Sequence, residues 1–194
     1  MLGRALVGAV AAAIILFILG FVFFATPLHH IAVKSLPDPQ AASVQAVLAQ
    51  NMPETGAYAV PSARTADQTT LYGRGPVATV HYNVRGYPVG DGATMVKGLL
   101  HMLAVGLLMA AGLYHLSRSI GSFAERLRLL LLGVVGATLF IHLRDPIWFH
   151  HSWGYALYLF FADTVSLALA GIAILKLLPA TLHREAPADA PTSV

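Results

Sequence analysis

Four apolar runs constrain this chain more than anything else in it. Residues 5–25, 95–116, 127–143 and 154–178 each approach or exceed the roughly 20 residues that a helix needs to cross a hydrocarbon layer about 30 Å thick. In such a layer the backbone must satisfy its own N–H and C=O groups, so each run is expected as a helix. The fold class that follows is an all-α integral membrane protein, a bundle of four transmembrane helices. Charged residues make up 11% of the chain and hydrophobic ones 57%, whereas a soluble domain carries about 25% charge.

The first run is about 21 residues long and ends in Phe23-Phe24-Ala25-Thr26-Pro27, where a signal peptide would have 7–15 apolar residues and a small-x-small site. Residues 1–26 are therefore expected as an uncleaved first span. Residues 27–93 differ in character, with Pro, Gly, Gln, Thr and Asn dispersed among apolar side chains. They are expected as a small α+β insertion outside the membrane, between the first two spans. Asp38-Pro39 places a capping side chain before a proline at the first helical position, and Val44, Val47 and Leu48 recur at helical spacing, predicting a helix over 39–50. Alternation predicts strands over 56–60 and 77–84, with Ala78, Val80, Tyr82 and Val84 on one face. The polar stretch 61–76, with Gly73-Arg74-Gly75, is expected as a loop. Residues 94–178 hold the other three spans, and 179–194, rich in Pro, Ala, Ser and Thr, are expected as a disordered tail.

The net charge of +3 suggests topology rather than nucleic-acid binding, because no Lys/Arg cluster is interleaved with aromatics. If the spans alternate, Arg4, Arg118, Arg126, Arg128, Lys176 and Arg184 share one side. The basic residues of the other side are spread over many more positions and mixed with acids. The positive-inside rule then puts both termini in the cytoplasm and the insertion outside, as for a protein of the bacterial inner membrane. Trp148 and Trp153 mark the outer interface, and Ser117, Ser119 and Ser122 are expected in solvent beside the arginines.

The absence of cysteine rules out disulfides, thiolate metal sites and cysteine nucleophiles. Asp163 is the single acidic residue deep in a span, and a carboxylate there costs roughly 2.5 kcal/mol or more unless it is paired or faces water. His101, about 12 Å below the outer end of the second span, and Arg144 are its expected partners, and His142 approaches the same level. These four residues form the candidate buried polar site. His29, His30, His150 and His151 belong to the rim and are the further candidates for a transition metal, although neighbours in sequence rarely face one another. His101 and His115 are fourteen apart, a spacing similar to that in diheme b-type cytochromes, but the matching pair on a second helix is missing, so a haem has at most His101 and His142.

Small residues four apart, Gly106 and Ala110, Gly133 and Ala137, and Ala162, Ser166 and Ala170, are expected at helix contacts within the chain. The leading functional expectation is a non-enzymatic accessory or assembly subunit, with the lipid bilayer and other membrane subunits as partners. The alternatives are a small transporter or proton-coupled binding protein using the Asp/His site, and a metal- or haem-binding protein.

Overall fold

The computed structural model describes residues 2–178, so the expected tail at 179–194 lies outside the described residues. Four helices are long and apolar enough to cross a membrane: α1 (Leu2–Phe24), α4 (Gly92–Ser119), α5 (Phe123–Phe149) and α6 (Trp153–Leu177). Between α1 and α4 lie a short 3-10 helix (Pro27–Ile31), α2 (Asp38–Asn51), β1 (Gly56–Val60), α3 (Ala66–Arg74) and β2 (Ala78–Tyr82). The expected spans are thus present as helices, and the chain is mostly helical with one small sheet. α4 and α5 extend beyond their apolar runs at both ends, over stretches that include polar residues. Asp91 accepts from the backbone N–H groups of Ala93 and Thr94 and from the Thr94 hydroxyl at the start of α4.

The chain divides into two compact units. One comprises residues 2–21, 96–136 and 164–178 of the described chain, the other 22–95 and 137–163. In the first, pieces of all four long helices share a core. Ala5, Ala9, Ala12 and Leu16 of α1 pack with Ala110 and Leu113 of α4, Leu130 and Val134 of α5, and Ala170, Ile174 and Leu175 of α6. Steps of three and four residues put the contributions of α1, α4 and α5 each on one helical face. The alanines let backbones come close: a Cβ built on Gly106 would stand 2.4 Å from the Ala9 carbonyl oxygen. Gly106 and Ala110 are therefore contact residues, as their spacing predicts. Gly133 and Ala137 are not. Both are exposed, and a Cβ on Gly133 would meet nothing within 4 Å, because α5 turns the row containing Leu130 and Val134 inward instead.

The second unit holds the insertion together with the adjoining parts of α1, α5 and α6. β1 and β2 pair antiparallel, with Tyr58 opposite Val80 and Gly56 opposite Tyr82. Tyr58, Val80 and Tyr82 are half-buried on one face, while Thr79 and His81 are exposed on the other, the alternation expected of a two-faced strand. α2 forms where expected, but Pro37 occupies the N-cap and no side chain caps the helix. Asp38 sits inside the first turn, where its charge still favours the helix N-terminus.

The connection from 61 to 77 corrects the loop expectation, since it contains α3. Thr65 caps α3 by accepting from Gln68 N–H at 3.2 Å. The Gln68 side chain accepts from both the backbone N–H and the hydroxyl of Ser62. Gly75, at φ +67°, ends the helix in the left-handed region that suits glycine. Thr65-Ala66-Asp67-Gln68 has the spacing of a capping box, a helix signal within the polar stretch.

Candidate functional site: a histidine–aspartate pair on adjoining helices

α5 and α6 are joined by three residues, and the local chemistry of that turn fixes where their side chains meet. His150, at φ +56°, closes α5 in a left-handed conformation of the kind that commonly ends helices. Ser152 opens α6, its hydroxyl accepting from Tyr155 N–H at 3.4 Å. Counting back from Phe149 at 1.5 Å per residue puts His142 about 10 Å from the end of α5, and Asp163 lies about 15 Å into α6. His142 Nε2 and Asp163 Oδ2 are 2.7 Å apart, a distance typical of a charge-assisted hydrogen bond. The imidazole side chain is 13% exposed and the carboxylate 40%, so the pair is anchored on the histidine side and accessible on the aspartate side.

Pro146 lies four residues beyond His142, inside α5. It has no N–H, so the carbonyl of His142 lacks its helical donor. The same residue thus carries an imidazole bonded to Asp163 and a backbone acceptor freed by proline. Next to it, Arg144 turns to Asp145, with Nε 3.2 Å from Oδ1, and its guanidinium carbon lies 6.0 Å from the centre of the Phe140 ring. Asp163 therefore takes its partner from α5, and that partner is His142. Arg144 is engaged with Asp145. His101 is exposed and its side chain makes no hydrogen bond among the described residues, and His115 is likewise exposed on α4.

The rim histidines serve several local roles. His29 stands edge-on to Phe24, with ring centres 6.0 Å apart, beside Tyr158, whose hydroxyl donates to the Phe23 carbonyl at 2.5 Å. That bond supplies a donor to a carbonyl at the end of α1, where helical donors run out. His151 Nε2 lies 3.1 Å from Thr79 Oγ1 and links β2 to the turn between α5 and α6. His150 lies beside Tyr72, and His30 is exposed. Among the described residues, no three His, Asp or Glu side chains converge as ligands of one metal ion would.

No protein family, curated protein or solved structure matches this chain. What it does must be read from its own geometry.

A second polar constellation, in the first unit, was not foreseen from the sequence. Arg126 is 4% exposed and Ser117 1%, which corrects the expectation for Ser117, whereas Ser119 and Ser122 are exposed as expected. Arg126 Nη1 donates to Ser117 Oγ at 2.9 Å and to the Leu178 carbonyl at 2.8 Å, joining the end of α4, the start of α5 and the end of α6. A cation at the end of α6 also complements the helix dipole. Its Nε is buried without a hydrogen-bond partner among the described residues. The signal was in the spacing. Arg126 precedes Leu130 and Val134 by four and eight residues, and Ser117 follows Leu113 by four, so both continue rows that point into the core.

Proposed function

We propose that the chain is a multi-pass membrane protein acting as a non-enzymatic accessory or assembly subunit, one that offers its 27–93 insertion to a partner membrane protein. The observation that carries this reading is the exposure of α2. None of its residues is buried, and Val44 and Val47 are 46% and 54% exposed. Val44 and Val47 lack cover from the rest of the described chain, and a 14-residue helix draws little stability from propensity alone. A partner surface would supply the missing cover. Photo-crosslinkers at Val44 and Val47, with Ala42 as a control on another face, test this in native membranes. The reading requires one discrete adduct from the two valines and none from Ala42. Three equal, diffuse patterns would reject it.

The His142–Asp163 pair supports a second reading, a small transporter or proton-coupled binding protein. A bonded imidazole and carboxylate can exchange a proton while keeping a hydrogen bond, and the exposed side of Asp163 gives a ligand access. Asp163→Asn retains a hydrogen-bonding side chain and removes the ionisable group. Proton uptake by protein in liposomes that survives this change would eliminate this reading.

Both readings place the termini in the cytoplasm, following the clustering of Arg4, Arg118, Arg126, Arg128 and Lys176. The chain has no cysteine, so single cysteines at Thr69 and Ser122 give a clean test. They should label from opposite sides of the membrane of intact cells, and labelling of both from outside would overturn the topology.

A further inference from the structure

We infer that the groove between α1 and α4 seats one acyl chain of an anionic phospholipid, whose phosphate is held at the groove's mouth by Arg118 and His115. This rests on the membrane reading above and adds a defined ligand to it. The groove has a volume of about 320 Å³ and is walled by Leu6, Leu107, Ala110 and Ala111, with Tyr114 and His115 on the same wall. Its depth comes from sequence: Ala110 and Ala111 present methyl groups where larger side chains would fill the space. The apolar wall matches a hydrocarbon chain and offers nothing to a polar solute.

The mouth has the opposite character. Tyr114 and His115 stand edge to face, 5.7 Å between ring centres, and the Arg118 guanidinium carbon lies 5.8 Å from the centre of the Tyr114 ring. The Tyr114 ring thus keeps that cation beside the groove while its N–H groups remain free for an oxygen anion. Arg4 lies on the first turn of α1, whose start also walls the groove through Leu2. Glu125 is the single carboxylate among the described residues of this unit. Arg4, Arg118, Arg126, Arg128 and Lys176 lie at the same helix ends. The charge at the mouth is therefore short of internal counter-anions, and basic sites between spans on the cytoplasmic side suit anionic headgroups. The charge complementarity selects an acidic phospholipid over a zwitterionic one, while the groove accounts for a single bound chain rather than a diffuse lipid shell.

The test is native mass spectrometry of the full chain, delipidated in mild detergent and titrated separately with dioleoyl phosphatidylglycerol and dioleoyl phosphatidylcholine. One phosphatidylglycerol should bind per chain in preference to phosphatidylcholine. Arg118→Gln should weaken phosphatidylglycerol about fivefold, the effect of one basic side chain at an anionic lipid surface, and weaken phosphatidylcholine, whose choline offsets the charge of the same phosphate, by less. Ala111→Trp, at an exposed position, should fill the groove and weaken both lipids. Arg85→Gln, in the insertion, should change neither. Equal binding of the two lipids with no effect of Arg118→Gln would overturn the inference. So would a lipid-free dimer that Ala111→Trp disrupts, because the occupant would then be a second copy. Failure of the membrane reading looks different: the chain would stay soluble and monomeric without detergent.

Discussion

His142 and Asp163 are bonded across 2.7 Å from two helices linked by three residues, and Pro146 leaves the His142 carbonyl without its helical donor. A hairpin that tight keeps the two side chains within reach of each other, so the bond should couple the two positions energetically. Asp163→Val and His142→Phe should each cost about 1–3 kcal/mol by leaving a polar partner unmatched. The double substitution should cost less than their sum by at least about 0.5 kcal/mol. Asp163→Asn should stay close to the parent. Thermal unfolding in detergent reads all four proteins, and strict additivity would show that the bond contributes nothing.

Arg126 presents a different balance. Lysine at this position keeps a buried charge but lacks the fork that reaches Ser117 and Leu178 together. Methionine removes the charge and with it the desolvation penalty. Arg126→Lys should therefore destabilise by about 1–3 kcal/mol and by more than Arg126→Met. The reverse order in thermal unfolding would mean that charge, rather than the paired hydrogen bonds, holds the three helix ends.

Gly106→Ala should cost about 1–3 kcal/mol, since the new methyl group would press on the Ala9 carbonyl and on backbone that cannot step aside. Gly112 lies on the same helix with nothing within 4 Å of a built Cβ. There the same change should be neutral or stabilise by about 0.5–1 kcal/mol through helix propensity. Comparing the two variants separates a steric requirement from a general effect of glycine.

Hydrogen bonds from the Thr94 side chain, and next from the Ala93 backbone, lower the Asp91 carboxyl below its ordinary 3.8. A folded value below the unfolded one means that the cap contributes stability above about 3.8, and that this is lost as pH falls through the lower folded value. Amide exchange at Ala93 and Thr94 should accelerate below pH 3.8 relative to mid-helix amides after correction for intrinsic exchange. Asp91→Asn, which keeps an acceptor, should remove that pH step.

Length and hydropathy made the four long helices legible, because few structures satisfy so many consecutive apolar residues. Alternation placed both strands to within two residues at each end. Where the reading failed, it failed on the direction of individual side chains. His142 rather than the expected His101 or Arg144 meets Asp163, because the direction of a side chain on its helix is not written in residue type. Gly133 and Ala137 have the same spacing as Gly106 and Ala110, yet α5 turns them outward. Thr65 and Gln68 signalled α3, but the glycines and polar residues around them pointed to a loop. Ser117 and Arg126 looked like surface residues by type, and their place in apolar rows counted for more.

The close passage of Ala9 by Gly106 has a consequence for how the chain is made. Synthesis delivers α1 first, and at roughly 5–20 residues per second the stretch between Phe24 and Gly92 takes several seconds to follow. During that interval the alanine face of α1 has no mate. On the membrane reading proposed above, an alanine row in hydrocarbon carries no penalty for waiting, since lipid tails are as apolar as any helix that will replace them. On that reading the face that Gly106 approaches is one that can idle during biogenesis, and the long insertion can be completed before the helices on either side of it close.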